Sequence, residues 1–349
     1  MAAGNTIDDA ARQYYKTQVA EGVDRFFQDR RPDCPWCGSV SIGKVFHSRD
    51  VLQAKPGTFV LDRCRACGHI FQNPQLNIDG LNFYYRNSSD LVGTKGVDLL
   101  VMLARGCLRR RALMVQPYAA PRKWLDVGAS YGHFCRVARQ LWPNTTFDGV
   151  DIDDGILVAQ RRGWIDKAYQ GMFHDLAPTL PERYDMVSMH QYLEHTIDPR
   201  RELQLAAQVL NPGGHVLIEV PDPECPPARL FGRYWYAWTQ PQHLHMFPLD
   251  NLKEALTSAG FTIKAVERRS DVRLDFSAAA RILLFMELGP KPGRAWAPRP
   301  ATPIDHARRI AALALGGLAI PACVFLDQTL GRLLLGNRNA YRVLAAKSP

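Results

Sequence analysis

Between positions 123 and 269 short apolar runs alternate with segments whose apolar residues recur at helical spacing. That pattern predicts a doubly wound α/β domain with a parallel sheet. The runs predict strands at Lys123–Val127, Thr146–Asp151, Tyr184–Met189, His215–Val220 and Phe261–Arg268, with helices near 132–142, 154–162, 200–210 and 249–259. Gly163 and Gly260 fall where helix ends call for a left-handed residue. Upstream, apolar positions from Ile7 to Phe27 predict one amphipathic helix over 7–28. Residues 32–75 change character, with Cys, Gly and Pro punctuating short β-rich runs, and 93–116 form a basic helical stretch containing Arg109, Arg110 and Arg111. Residues 270–338 interrupt the alternation: Pro290, Pro292, Pro298, Pro300 and Pro303 form a loop between two apolar helical stretches. Tyr341–Ala346 then returns as a β-like run. The expected organisation is an N-terminal helix (1–30), a small module (31–80), the α/β domain (93–269), a helical insertion (270–338) and a last strand within 339–349.

The 349 residues suit two domains at roughly 100–200 residues each. With 46% hydrophobic and 22% charged residues, the chain is neither disordered, collagen-like nor a polytopic membrane protein. Forty-three Lys and Arg against 34 acids leave a net charge of +9, which favours anionic partners such as membrane surfaces or nucleic acid. Eight cysteines are too few for a disulfide scaffold, and two C-x-x-C pairs read as metal ligation in a reducing compartment. The first residues lack the basic-then-apolar order of a signal peptide, so a cytoplasmic location is expected.

Cys34-Pro35-Trp36-Cys37-Gly38 and Cys64-Arg65-Ala66-Cys67-Gly68 are two knuckles. Two residues between cysteines let both sulfurs reach one ion, and four thiolates give a closed tetrahedral zinc site, structural rather than catalytic. The 26 intervening residues suit a small β-hairpin ribbon. His47 and His69 are expected bystanders, since four sulfurs satisfy the ion.

Trp124-Leu125-Asp126-Val127-Gly128-Ala129-Ser130-Tyr131-Gly132 is an apolar strand ending in a small-residue turn before a helix. A dinucleotide fingerprint needs glycines at 128, 130 and 133; Ser130 and His133 stand there instead, which argues against a nicotinamide-dependent oxidoreductase. Asp126 would repel a pyrophosphate but attract an ammonium or sulfonium centre. Asp151, nineteen residues after Gly132 and closing the second strand, can accept both ribose hydroxyls. The ligand suggested is a nucleoside bearing an amino acid, and S-adenosylmethionine fits.

The sequence resembles the class I S-adenosylmethionine-dependent methyltransferases over roughly residues 30–269 plus the final strand. The matching segments are LDVGASYGHF (125–134), GVDID (149–153), YDMVSMHQYLEHTIDP (184–199), LNPGGHVLIEVPD (210–222) and QHLHMFPLDNLKEALTSAGF (242–261). It is similar to the branch with an N-terminal four-cysteine ribbon, which includes sugar methyltransferases. The resemblance implies a seven-stranded Rossmann-like sheet with an antiparallel last strand, Tyr341–Ala346. It further implies that Gly128 and Gly132 admit the cofactor and that Asp151 holds its ribose. Ser130 replaces the commoner middle glycine, a change suited to negative φ. Gln191 stands where related sequences often carry an acid, which argues against a metal built on that position with Glu194 and His195.

Methyl transfer is an in-line displacement in which positioning supplies much of the acceleration, and an oxygen or carbon acceptor must also lose a proton. His190, Glu194 and His195 follow a strand at the carboxyl edge, where open α/β sheets bind ligands. His190 is assigned to the cofactor; His195, His243 and His245 are the candidate bases, each also open to a packing role. Trp235 and Trp238 read either as a sugar-stacking platform or as lid packing. Ile310–Leu326 runs seventeen residues without a charge behind Arg308 and Arg309. It is short for a span and carries Gly316, Gly317 and Pro321, leaving burial, a subunit interface, or peripheral membrane contact through 308–335. The expected activity is O-methylation of a carbohydrate or lipid-linked glycan, with sugar C-methylation as an alternative. An RNA-binding ribbon or RNA methyltransferase is a further alternative, disfavoured because the arginines do not interleave with aromatic residues.

Overall fold

A computed structural model describes residues 9–86, 105–181, 183–268, 274–297, 299–334 and 338–348. The chain divides into two compact units: residues 1–91, 227–244 and 273–336, and residues 92–226, 245–272 and 337–349. The ribbon and the helical insertion therefore share one unit.

In the first unit, α1 (Asp9–Ala20) ends before the left-handed Gly22, so the helix expected over 7–28 stops early and Asp24–Phe26 forms a separate 3-10 turn. Strands β1 (Ile42–Ser48), β2 (Phe59–Cys64) and β3 (Ile70–Gln72) pair antiparallel in that order. Helix α2 (Ile78–Tyr85) is capped by Asn77, whose side chain accepts from the Gly80 N–H. Tyr15, Phe26, Phe59, Leu76, Phe83, Tyr84 and Trp296 form the core. Within it Lys55 Nζ donates to the carbonyls of Phe83 (2.6 Å) and Arg86 (2.7 Å), satisfying acceptors at the end of α2.

In the second unit, the described part of the basic stretch is α3 (Arg105–Val115); residues 93–104 lie outside the described residues. The strands β4 (Lys123–Val127), β5 (Thr146–Asp151), β6 (Lys167–Gln170), β7 (Tyr184–His190), β8 (Leu210–Pro221), the two-residue β9 (His245–Met246), β10 (Phe261–Arg268) and β11 (Ala340–Lys347) follow. All but β9 form a seven-stranded sheet in the order β10-β11-β8-β7-β4-β5-β6. Only β11 runs against its neighbours. Strand β6, half-buried at the edge, carries too little apolar signal to be read from sequence.

The central strands are covered on both faces, and their runs are accordingly almost continuously apolar. Trp124, Phe134, Phe147, Ile156, Leu217 and Leu344 pack together with helices α4 (His133–Ala138) and α5 (Gly155–Arg161). α6 (Pro199–Val209) starts on Asp198, which caps the Arg201 N–H, with Pro199 in the first turn. It and α7 (Leu249–Ser258) bury one face each. Gly163 and Gly260 take φ of 68° and 88°, as the helix ends require.

Candidate active site

The four cysteine sulfurs of the ribbon lie within 4.8 Å of one another. Cys34 Sγ is 3.7 Å from Cys67 Sγ, and Cys37 Sγ is 3.6 Å from Cys64 Sγ. Four sulfurs at 2.3 Å around a tetrahedral ion sit about 3.8 Å apart, so the cluster matches a zinc cage. Gly38 and Gly68 adopt left-handed φ, turning each knuckle back so that their N–H groups donate to the Cys34 and Cys64 carbonyls. His69 is buried, stacked on Trp36 and Phe71, and His47 is exposed on β1; neither joins the cluster.

In the second unit the turn between β4 and α4 carries the residues assigned to the cofactor. Gly128 and Gly132 have φ of 75° and 71°; a Cβ at Gly132 would stand 2.8 Å from Ala159 Cβ, and one at Gly128 would stand 2.9 Å from the Tyr192 ring. Both positions therefore need glycine for conformation and for packing. Ser130, expected at negative φ, takes +49°. Its N–H donates to Asp151 Oδ2 at 2.7 Å, and that bond holds the residue in the left-handed region. Asp151 Oδ1 accepts the Asp153 N–H at 2.9 Å, so one carboxylate ties the β4 turn to the β5 turn. Burial raises its pKa.

Asp126 is buried, accepting from Ser188 Oγ (2.5 Å) and from Cys135 Sγ (3.7 Å), with Trp124 Nε1 donating to Ser188 in turn. Burial pushes its carboxyl up to about 7. His190, ending β7, has both ring nitrogens buried without a hydrogen-bond partner and its ring edge-on to Phe134. Burial, reinforced by the nearby Arg111, holds His190 neutral, well below the usual imidazole range.

The candidate bases are less uniform. His195 lies half-buried in the turn Leu193–His195 after β7. His245 is buried, its Nε2 3.4 Å from the Ile197 carbonyl oxygen. His243 belongs to the first unit, where its Nδ1 is 2.7 Å from the Ala237 carbonyl. Trp235 and Trp238 are buried edge to face at 5.0 Å, and Trp238 Nε1 donates to the Gly232 carbonyl. They are loop packing and offer no open ring face as a platform.

Sequence reasoning placed Glu194 at the carboxyl edge of the sheet but missed its burial, and it missed Glu219 altogether. Glu194 is fully buried with neither carboxyl oxygen hydrogen-bonded, and burial pushes it up to about 8, so it is largely protonated at neutral pH. Glu219, facing His190 across β7 and β8, accepts from Arg111, Arg342 and Gln191. It outweighs its own burial through Arg111 and Arg342, which hold its carboxyl well below the ordinary range. A legible signal existed: Glu219 and Arg342 each interrupt an apolar strand, and a charge in a central strand must find a partner.

Residues 102–266 match the family described as a methyltransferase domain. The ubiquinone biosynthesis O-methyltransferase of Saccharophagus degradans is 27% identical over 116 residues, 32% of this chain and 48% of that protein. The enzyme of that name from Hydrogenovibrio crunogenus is 32% identical over 99 residues, 27% of this chain and 40% of that protein. The chain thus spans half or less of the length of the curated relatives it matches. A solved S-adenosylmethionine-dependent methyltransferase from Archaeoglobus fulgidus aligns over 70% of this chain and 94% of its own, at 18% identity and a TM-score of 0.44. Residues 102–266 thus carry a methyltransferase domain, built on a seven-stranded sheet in which β11 is reversed, and preceded by four cysteines arranged as in a zinc ribbon.

Proposed function

We propose that this chain transfers a methyl group from S-adenosylmethionine to a hydroxyl oxygen of a carbohydrate or lipid-linked glycan, and that Cys34, Cys37, Cys64 and Cys67 hold a structural zinc ion. The observation that carries the cofactor reading is the β4 turn locked to Asp151 through the Ser130 N–H. It is joined by His190, whose buried and orphaned ring nitrogens fit a ligand with polar edges. S-adenosylmethionine, when bound, supplies an electrophilic methyl carbon on a sulfonium sulfur.

The chain's own residues do the rest. Asp151 stands at the carboxyl end of β5 to accept ribose hydroxyls, and the Gly128–Gly132 backbone lines the approach. Asp126, buried and near its ionisation midpoint at neutral pH, favours a cationic amino-acid tail through its field. His190 stays neutral and so would add no positive charge to oppose the binding of a sulfonium cation. His195 takes the acceptor proton, beside a Glu194 carboxyl that is itself mostly protonated at pH 7. His245 and His243 are the alternative bases. A hydroxylated intermediate of ubiquinone biosynthesis is a second acceptor class, favoured by the names of the curated relatives.

Calorimetry on the zinc-loaded full chain, with S-adenosylmethionine and its demethylated product, tests the reading. Both ligands bind, and Asp151→Ala weakens both about tenfold or more, the equivalent of one lost charge-assisted hydrogen bond. His195→Ala keeps cofactor affinity while turnover with a hydroxylated acceptor falls roughly 10²–10⁴-fold. No heat with either ligand sinks the cofactor assignment.

A further inference from the structure

The helical insertion presents a surface that methyl transfer does not use. Helix α8 (Asp275–Arg281) continues as a π-helix over Ile282–Leu288, and α9 (Pro303–Gln328) packs beside it. The pair is stapled at both ends. Buried Asp327 accepts the N–H groups of Phe276 (2.8 Å) and Ser277 (3.1 Å), and Arg308 and Arg309 donate to the carbonyls of Leu288 (2.9 Å) and Gly289 (3.0 Å). Gly316 lets the helices close, since a Cβ there would stand 2.7 Å from the Phe285 ring. Of α9, only Ala312, Gly316 and Asp327 are buried, one narrow stripe.

The rest of the helix is open and apolar. Ile310, Leu313, Leu315, Leu318, Val324 and Phe325 are exposed, Leu318 by 80% and Phe325 by 68%. At 3.6 residues per turn they spread over roughly 200° of the circumference. Together they expose on the order of 500 Å² of apolar surface, near the upper limit for a single patch on a soluble monomer.

We infer that this face of α9 seats in the plane of an anionic lipid bilayer. Three observations select that occupant. Residues 310–326 carry no polar side chain except Cys323, whereas a protein interface needs about one hydrogen bond per 100–200 Å². The patch begins at Arg308 and Arg309, with exposed Lys291 in the preceding loop, a cationic edge that complements acidic headgroups. The helix is long and apolar enough to cross a membrane, but its partner α8 and the π-turn carry Asp275, Arg281 and Glu287. Those charges hold the pair at the interface and out of the hydrocarbon. The inference is independent of which acceptor is methylated.

Sedimentation of the zinc-loaded full chain with vesicles tests it. Vesicles of phosphatidylcholine with one-quarter phosphatidylglycerol take down the protein at low salt, and 0.5 M salt or pure phosphatidylcholine releases much of it. The double variant Leu318→Glu/Phe325→Glu, altered only at exposed positions, binds about a hundredfold more weakly, as expected for two large side chains that no longer leave water. Its cofactor binding stays unchanged, which separates lost docking from a lost fold or a failed methyltransferase reading. Wild-type protein that stays in the supernatant with acidic vesicles overturns the inference. So does lipid-free self-association that the double variant abolishes without any vesicle binding, because the face would then belong to a second copy.

Discussion

Four cysteines meet in the first unit from two knuckles 26 residues apart, each turned by a left-handed glycine. In the second, Arg111 and Arg342 reach Glu219 from 108 and 123 positions away, across three different elements. The first arrangement is specified locally: two residues of spacing and a glycine set where the sulfurs go. The second is specified by topology alone, because Arg342 meets Glu219 only once β11 has inserted beside β8. The ribbon gathers four thiol groups into a cage that an ion would close, whereas the sheet carries buried charge at its centre and must neutralise it from within.

The largest effect tests the ribbon side. Structural zinc contributes about 10–16 kcal/mol to folding in small modules. Chelation of the full chain should therefore release one equivalent of metal and expose the amides of β1–β3 to hydrogen exchange. Slow exchange at β1–β3 after complete metal removal would mean that the first unit is held by its aromatic core instead.

The next effect tests the sheet side. Glu219→Gln leaves Arg111 without its carboxylate and Arg342 with only the partly exposed Glu267, 3.1 Å away, and breaking a buried ion pair this way costs about 3–5 kcal/mol. The pH dependence fixes the sign. The Glu219 carboxyl is held below its unfolded value, so its stabilisation is complete above about pH 4.5 and is lost as pH falls toward the folded value. Glu219→Gln should flatten that acid limb and lower the denaturation midpoint at pH 7. Equal stability of the two proteins at pH 7 would show that the ion cluster does not hold the sheet.

The same contrast explains what was legible in the sequence. Lys123–Val127 and Thr146–Asp151 were readable to the residue from their mostly buried runs, and the edge strand Phe261–Arg268 from its alternation of buried and exposed positions. The knuckles and the position of the β4 turn were readable because their residues are contiguous, but the left-handed φ of Ser130 was not. β6 was not, being four residues long with no buried position to mark it. Glu194 was not, because nothing in its neighbours announces that a carboxyl will be sealed off from water. The helix over 7–28 was overdrawn because Gly22 outweighs the apolar periodicity beyond it.

The smallest effect probes where local and long-range specification meet. Ser130 is held at φ +49° by a bond from its own N–H to Asp151, so its side chain plays no part in that link. A non-glycine residue in this region costs about 1–2 kcal/mol, and glycine in the unfolded chain costs about 0.5–1 kcal/mol of entropy. Ser130→Gly should thus stabilise the second unit by about 0.5–1 kcal/mol in urea denaturation and leave cofactor affinity within about twofold, since the backbone donor remains. Weaker cofactor binding in the glycine variant would assign the Ser130 hydroxyl a contact of its own. The strain at this turn would then be retained for the ligand, and the most local feature of the sheet unit would owe its residue type to something outside the chain.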